Sequence, residues 1–133
     1  IRTAADAEHV LERPWPWLRC AEDDWEKVRS AVRAVVQSAH MAPWFDGTGR
    51  VYMERDVIGP QRKVLRPDRV VDFGDTVDVI DFKTAEEADP GKRGAHAGQV
   101  REYMQALQGA SDRTVRGYLY YVTTDELVEV KAL

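Results

Sequence analysis

KVLRPDRVVDFGDTVDVIDFK, residues 63–83, decides the fold. Two apolar runs flank Phe73-Gly74-Asp75-Thr76. Gly-Asp at such a break suits a two-residue hairpin loop, which needs positive φ. The pattern predicts strands over 63–72 and 76–83, and a Gly74-Asp75 loop places Asp68 directly opposite Asp81. Opposed side chains on one sheet face have Cβ atoms roughly 4.5–5.5 Å apart, and like charges there destabilise the pair. A divalent cation between the two carboxylates would offset the repulsion. Side chains alternate along a strand, so Lys83 shares the face of Asp81. Hard oxygen ligands beside an amine suit Mg²⁺ and a phosphate ester.

The 133 residues read as one domain, long enough to bury a core without disulfides or structural metal. Hydrophobic residues make up 44% and charged residues 32%, ordinary values for a globular domain. The net charge of −4 is not that of a basic nucleic-acid binder, although a local basic stripe can do that work. Cys20 is the single cysteine, which excludes a disulfide framework and a Cys-ligated Fe–S cluster within the chain. No apolar run approaches a membrane span. The expected setting is the cytoplasm. The chain begins at Ile1 without Met and is expected to be an excised fragment of a longer protein.

Thr3, with Asp6 three residues on, predicts an N-capped helix over 4–12, ended by Pro14 and Pro16. The tryptophans of RPWPWLRC, 13–20, are expected to pack on the core. A second helix from Ala21 to His40 carries Trp25, Val28, Val32, Val35, Val36 and Ala39 at helical spacing. Pro43 and Gly47 mark a loop. A strand is expected over 50–57, a turn at Ile58-Gly59-Pro60-Gln61, and a loop over 84–95. A helix over 96–110 and strands over 115–123 and 126–132 complete the order α, α, β, β, β, α, β, β.

Asp68 and Asp81 lie within apolar stretches, where a lone Asp is unfavourable. Lys83 gains meaning from the face it shares with Asp81, where it could orient the attacking water or steady phosphate charge. A turn centred on Pro60 predicts Glu54 opposite Arg66 and diagonal to Asp68; a salt bridge with Arg66 and a role in the site fit Glu54 equally. Gln99 and Tyr103, four apart, share a helix face with His96 nearby. That spacing alone is met by an ordinary amphipathic helix with Val100, Tyr103 and Leu107 as core. Arg62, Lys63, Arg66, Arg69, Lys92 and Arg93 surround the hairpin, as a solvated surface or as contacts to a phosphate backbone.

Pro67-Asp68 followed by Asp81-Phe82-Lys83 resembles the PD-(D/E)XK nuclease superfamily. The ordered set Glu54, Asp68, Asp81 with Lys83, and Gln99 with Tyr103 is similar to its RecB-like branch, over about 50–107. The resemblance implies an α/β (α+β) fold with a mixed central β-sheet flanked by helices, as in restriction endonucleases. It implies a single nuclease domain from the C-terminal part of a UvrD-like helicase–nuclease of the exonuclease V β-subunit or AddA type. The expected activity is Mg²⁺-dependent (or Mn²⁺-dependent) DNA exonuclease in double-strand break repair and recombination. Linear DNA ends, the helicase domain of the same polypeptide and a partner subunit are the expected partners, with no membrane. Asp68, Asp81 and the Phe82 carbonyl would be metal ligands, Lys83 the catalytic lysine and Glu54 a further acid. Gln99, Tyr103, Arg66 and Arg69 would bind or position DNA. The branch's Gly-x-x-x-His is not matched, because Ala5 stands four residues before His9. The Cys cluster of the iron–sulfur branch is absent. The alternatives are an inactive copy that binds DNA or a subunit, and a phosphodiesterase acting on small molecules.

Overall fold

Thr3 and Asp6 form a reciprocal cap: Asp6 N–H donates to Thr3 Oγ1 at 3.2 Å, and Thr3 N–H to Asp6 Oδ2 at 3.0 Å. They open α1, Ala4–Leu11, as the sequence predicts. The computed structural model describes residues 1–12, 22–84, 90–109 and 112–132. Pro14, Pro16 and the tryptophans of 13–20 lie outside them, as do Ala21 and the middle of the loop after Lys83. The chain divides into two compact units, Ile1–Thr48 and Gly49–Leu133.

In the first unit α2, Glu22–Gln37, buries Trp25 and Val36, while Val28, assigned to its apolar face, is exposed. Arg33 on α2 donates to both oxygens of Glu8 on α1, at 3.1 and 3.2 Å. Where a loop was expected, a single turn, α3, spans Ala42–Phe45. Pro43 starts it, because the first turn of a helix needs no N–H from that residue.

The second unit is a five-stranded mixed sheet with a helix across one face, the α+β architecture expected. The strands are β1 Arg50–Met53, β4 Arg69–Asp72, β5 Thr76–Lys83, β6 Thr114–Tyr121 and β7 Glu126–Val130, in the order β1-β4-β5-β6-β7. A separate two-stranded ribbon pairs β2, Val57–Ile58, with β3, Val64–Leu65. Helix α4, Arg93–Gly109, returns the chain from β5 to β6, which run parallel; the other neighbours are antiparallel. Val70, Val77, Val79 and Leu119 of the sheet pack against Val100, Tyr103, Met104 and Ala106 of α4. Gly117 lets the helix sit close: a Cβ there would stand 2.6 Å from Val100 Cγ1.

The central hairpin has the expected register. Arg69 pairs with Ile80 and Asp72 with Val77. Phe73 N–H donates to Thr76 O at 2.9 Å, and Gly74 takes a φ of 91° in the loop between them. The strand expected over 63–72 is broken at Arg66–Asp68, because Pro67 has no N–H for a ladder. The strand expected over 50–57 also breaks, at Glu54, whose φ is 50°. Its register differs from expectation. Met53 pairs with Arg69, so the next step sets Glu54 against Asp68, and Glu54 N–H donates to Asp68 O at 3.3 Å. The residue facing Arg66 is Asp56, whose carboxylate accepts from Arg66 Nε at 2.8 Å.

Candidate active site: two aspartates and a lysine on one sheet face

Ladder positions alternate along an antiparallel pair between those that exchange hydrogen bonds and those that do not. Counting from the bonded Phe73 and Thr76, the bonded positions are Val71 with Asp78, Arg69 with Ile80, and then Pro67 with Phe82. Asp68 and Asp81 fall at the intervening, closer position. At the Pro67 step the ladder fails, since proline cannot donate to the Phe82 carbonyl. The Phe82 N–H turns instead to Asp68 Oδ2, at 2.9 Å. The amide and carbonyl of one strand residue face the same neighbour. The Phe82 carbonyl therefore looks toward the edge where Asp68 stands.

Asp81 is 4% exposed and Lys83 8%. Lys83 Nζ lies 2.8 Å from Asp81 Oδ2 but off the hydrogen-bonding direction, so this buried oxygen has no hydrogen-bond partner among the described residues. Lys83 Nζ donates to Gln99 Oε1 at 3.2 Å, which ties the strand to α4. Burial pushes the Asp68 carboxyl up to about 6. The neighbouring Asp81 adds to that rise, and the Phe82 N–H and Lys83 oppose it. The two acids are thus close, as predicted, but their repulsion is not bare: Lys83 stands against Asp81, and Asp68 is the acid whose charged form burial disfavours.

Tyr103 is buried in the α4 core and stands near enough to Asp81 and Asp68 that burial, and then their charges, raise its phenol. Its hydroxyl reaches the Arg66 carbonyl at 3.5 Å, the outer limit of a hydrogen bond. Tyr103 therefore serves the core and borders the site at once.

Two expected residues fall elsewhere. Arg69 follows Asp68 and points to the opposite sheet face, 3% exposed, its guanidinium lowered to about 10 by burial. It is not placed to meet a DNA backbone beside Asp68. Glu54 stands not opposite Arg66, as expected, but exposed beside Asp68.

An open groove of about 670 Å³ runs between β3 and α4, lined by Lys63, Arg66, His96, Gln99, Glu102 and Tyr103 among others. Lys63 and Glu102 form an exposed ion pair across it at 3.2 Å. Sequence reasoning left His96 unassigned, although its spacing of three from Gln99 puts both on one helix face. It also missed Asp78, 1% exposed, whose oxygens accept from Arg116 Nε and Nη2 at 2.6 and 2.8 Å. No local pattern pairs those two; only the parallel register of β5 and β6 sets Asp78 beside Arg116.

No family model matches the chain, and no curated protein does. Among solved structures, one described as the crystal structure of SSO0001 is similar over 80% of this chain and 52% of that one, with 16% identity and a TM-score of 0.46. The chain thus spans about half the length of that structure.

Proposed function

We propose that the second unit is a metal-dependent nuclease domain that hydrolyses phosphodiester bonds of DNA, of the RecB-like PD-(D/E)XK kind. The observation that carries this reading is the Asp81 carboxylate. It is buried with one oxygen that has no hydrogen-bond partner among the described residues, faces a second carboxylate, and has an ammonium 2.8 Å away. An under-satisfied pair of hard oxygen donors fits a divalent cation. Asp68, Asp81 and the Phe82 carbonyl would hold Mg²⁺, or Mn²⁺ in its place. Bound there, such a cation polarises a phosphoryl oxygen and lowers the pKa of the attacking water.

The chain's own residues do the rest. Lys83, fixed by Asp81 and Gln99, orients the nucleophile and steadies charge developing on the phosphate. Gln99 holds the lysine's direction. Tyr103 closes the core side of the site. Lys63 and Arg66 stand along the groove, where a phosphate backbone would run. Glu54 lies beside Asp68 as an accessory acid. The proposed setting is that of the resemblance: a helicase–nuclease acting at linear DNA ends in recombinational repair, in the cytoplasm. No described helix is long and apolar enough to cross a membrane.

The test is degradation of linear DNA. Cleavage is expected with Mg²⁺ or Mn²⁺ and not with excess EDTA, while Ca²⁺, which prefers more ligands and looser geometry, supports binding with little turnover. Robust cleavage in EDTA overturns the mechanism. DNA binding with no cleavage under any metal favours the inactive, DNA-binding alternative.

A further inference from the structure

His96 and Gln99 stand about one turn apart on α4 and both line the groove. Behind His96 lies Tyr121, the β6 residue that pairs with Lys83 across the parallel ladder. Tyr121 is 1% exposed, and its hydroxyl is 3.3 Å from His96 Nδ1. The Arg93 guanidinium covers its ring, 4.3 Å from the centroid. Arg93 in turn donates to both oxygens of Glu126, at 2.9 and 2.6 Å. Glu126, Arg93, Tyr121 and His96 thus form a chain of contacts that ends in the groove, which Gln99, the acceptor of Lys83 Nζ, also lines.

The Tyr121 contact favours one histidine tautomer. A buried phenol donates its proton when an acceptor is within reach, and the partner found among the described residues is His96 Nδ1. An imidazole that accepts at Nδ1 carries its N–H at Nε2. With Nδ1 turned to Tyr121, Nε2–H is the ring group that remains for the groove. A fixed donor in a groove also lined by Gln99, the acceptor of Lys83 Nζ, and by Lys63 and Arg66 suits an anionic oxygen.

We infer that His96 contacts substrate, donating from Nε2–H to a non-bridging oxygen of a phosphodiester lying in the groove, and that Tyr121 is its positioning residue. This rests on the nuclease reading and adds to it the residue that grips the backbone beside the reacting phosphate. The competing view is a histidine that merely packs on Tyr121. Glutamine separates the two. Its amide nitrogen reaches near the Nε2 position and donates, whereas leucine fills the space without a donor.

The experiment measures binding of a fluorescein-labelled oligonucleotide to the 133-residue chain in Ca²⁺, and cleavage of the same strand in Mg²⁺. His96→Leu is expected to weaken binding about tenfold, as for loss of a hydrogen bond to a charged group, and to raise KM with kcat little changed. His96→Gln should stay within about threefold of wild type, and Tyr121→Phe, which removes only the hydroxyl, should fall between them. Should His96→Leu fail to fold, His96→Ala against His96→Gln makes the same comparison. Wild-type binding by the donor-less variant, or equal losses for leucine and glutamine, overturns the inference. If wild type binds and cleaves while His96→Leu matches it, the inference alone falls. If wild type binds without cleaving, the hydrolase reading falls and the His96 comparison still decides. If wild type neither binds nor cleaves, both fall.

Discussion

Asp78 and Asp81 stand three residues apart on β5, both nearly fully buried, on opposite faces of the sheet. Asp78 is met by a guanidinium that donates to each of its oxygens. Asp81 is met by an ammonium that leaves one oxygen without a hydrogen bond among the described residues, and by a second carboxylate across the ladder. Burial of an acid is therefore not in itself the mark of a site. A buried acid with a full complement of donors is part of the fold, and one left short of donors beside a like charge is arranged for something else.

Substituting the two cations tests that contrast most strongly. Lys83→Ala should lower cleavage about 10²–10⁴-fold while leaving Mg²⁺ affinity nearly intact, because lysine is not a ligand. Arg116→Ala should leave the rate per folded molecule unchanged. Steady-state cleavage and metal titration of both variants check this; an active Lys83→Ala removes the site from the account.

The acids should divide in the same way. Asp78→Asn breaks a bidentate pair whose arginine is partly exposed, and should lower unfolding stability by about 2 kcal/mol without touching activity in the folded protein. Asp81→Asn should abolish cleavage. Denaturant melts set beside turnover would break the comparison if Asp78→Asn were the inactive one.

Asp68 gives the contrast a pH dependence. Its folded pKa of about 6 lies above the ordinary 3.8, so the folded protein binds the extra proton. The stability it contributes is present below about pH 4 and is lost as pH rises through about 6. In metal-free protein, Asp68→Asn should therefore gain on wild type by on the order of 2 kcal/mol between pH 4 and pH 7, after partial solvent screening. Chemical melts in EDTA across that range measure it. A difference that does not vary with pH would show that Asp68 does not hold the extra proton in the folded protein.

The smallest effect expected is on α4. Gln99→Ala, which removes the acceptor of Lys83 Nζ, should cost roughly tenfold in cleavage. Gln105, exposed on another face of the helix, should tolerate alanine with full activity. Equal effects at the two positions would return the helix to a purely structural role.

What could be read from the sequence follows contact range. The hairpin register was legible because Gly74-Asp75 fixes it locally, and with it came Asp68 opposite Asp81 and Lys83 on the same face. The shared helical face of Gln99 and Tyr103 was legible from their spacing. Glu54 was misplaced by two positions because the turn between β2 and β3 centres on Gln61, not on Pro60, and Gln61 and Arg62 there take positive φ, which no pattern announces in non-glycine residues. Arg69 looked like one of a basic cluster until strand alternation turned it away from Asp68. Asp78 with Arg116, and His96 with Tyr121, depend on the parallel pairing of β5 and β6 and on the seating of α4 over it. Those contacts join residues 38 and 25 positions apart and leave no local trace.

Anomalous diffraction from a crystal of the chain soaked in Mn²⁺ tests the metal site itself. A peak is expected within about 2.3 Å of Asp68, Asp81 and the Phe82 carbonyl, absent from an Asp81→Asn crystal treated alike. A wild-type crystal with no ion between the aspartates, from protein that still cleaves DNA in Mn²⁺, would contradict it.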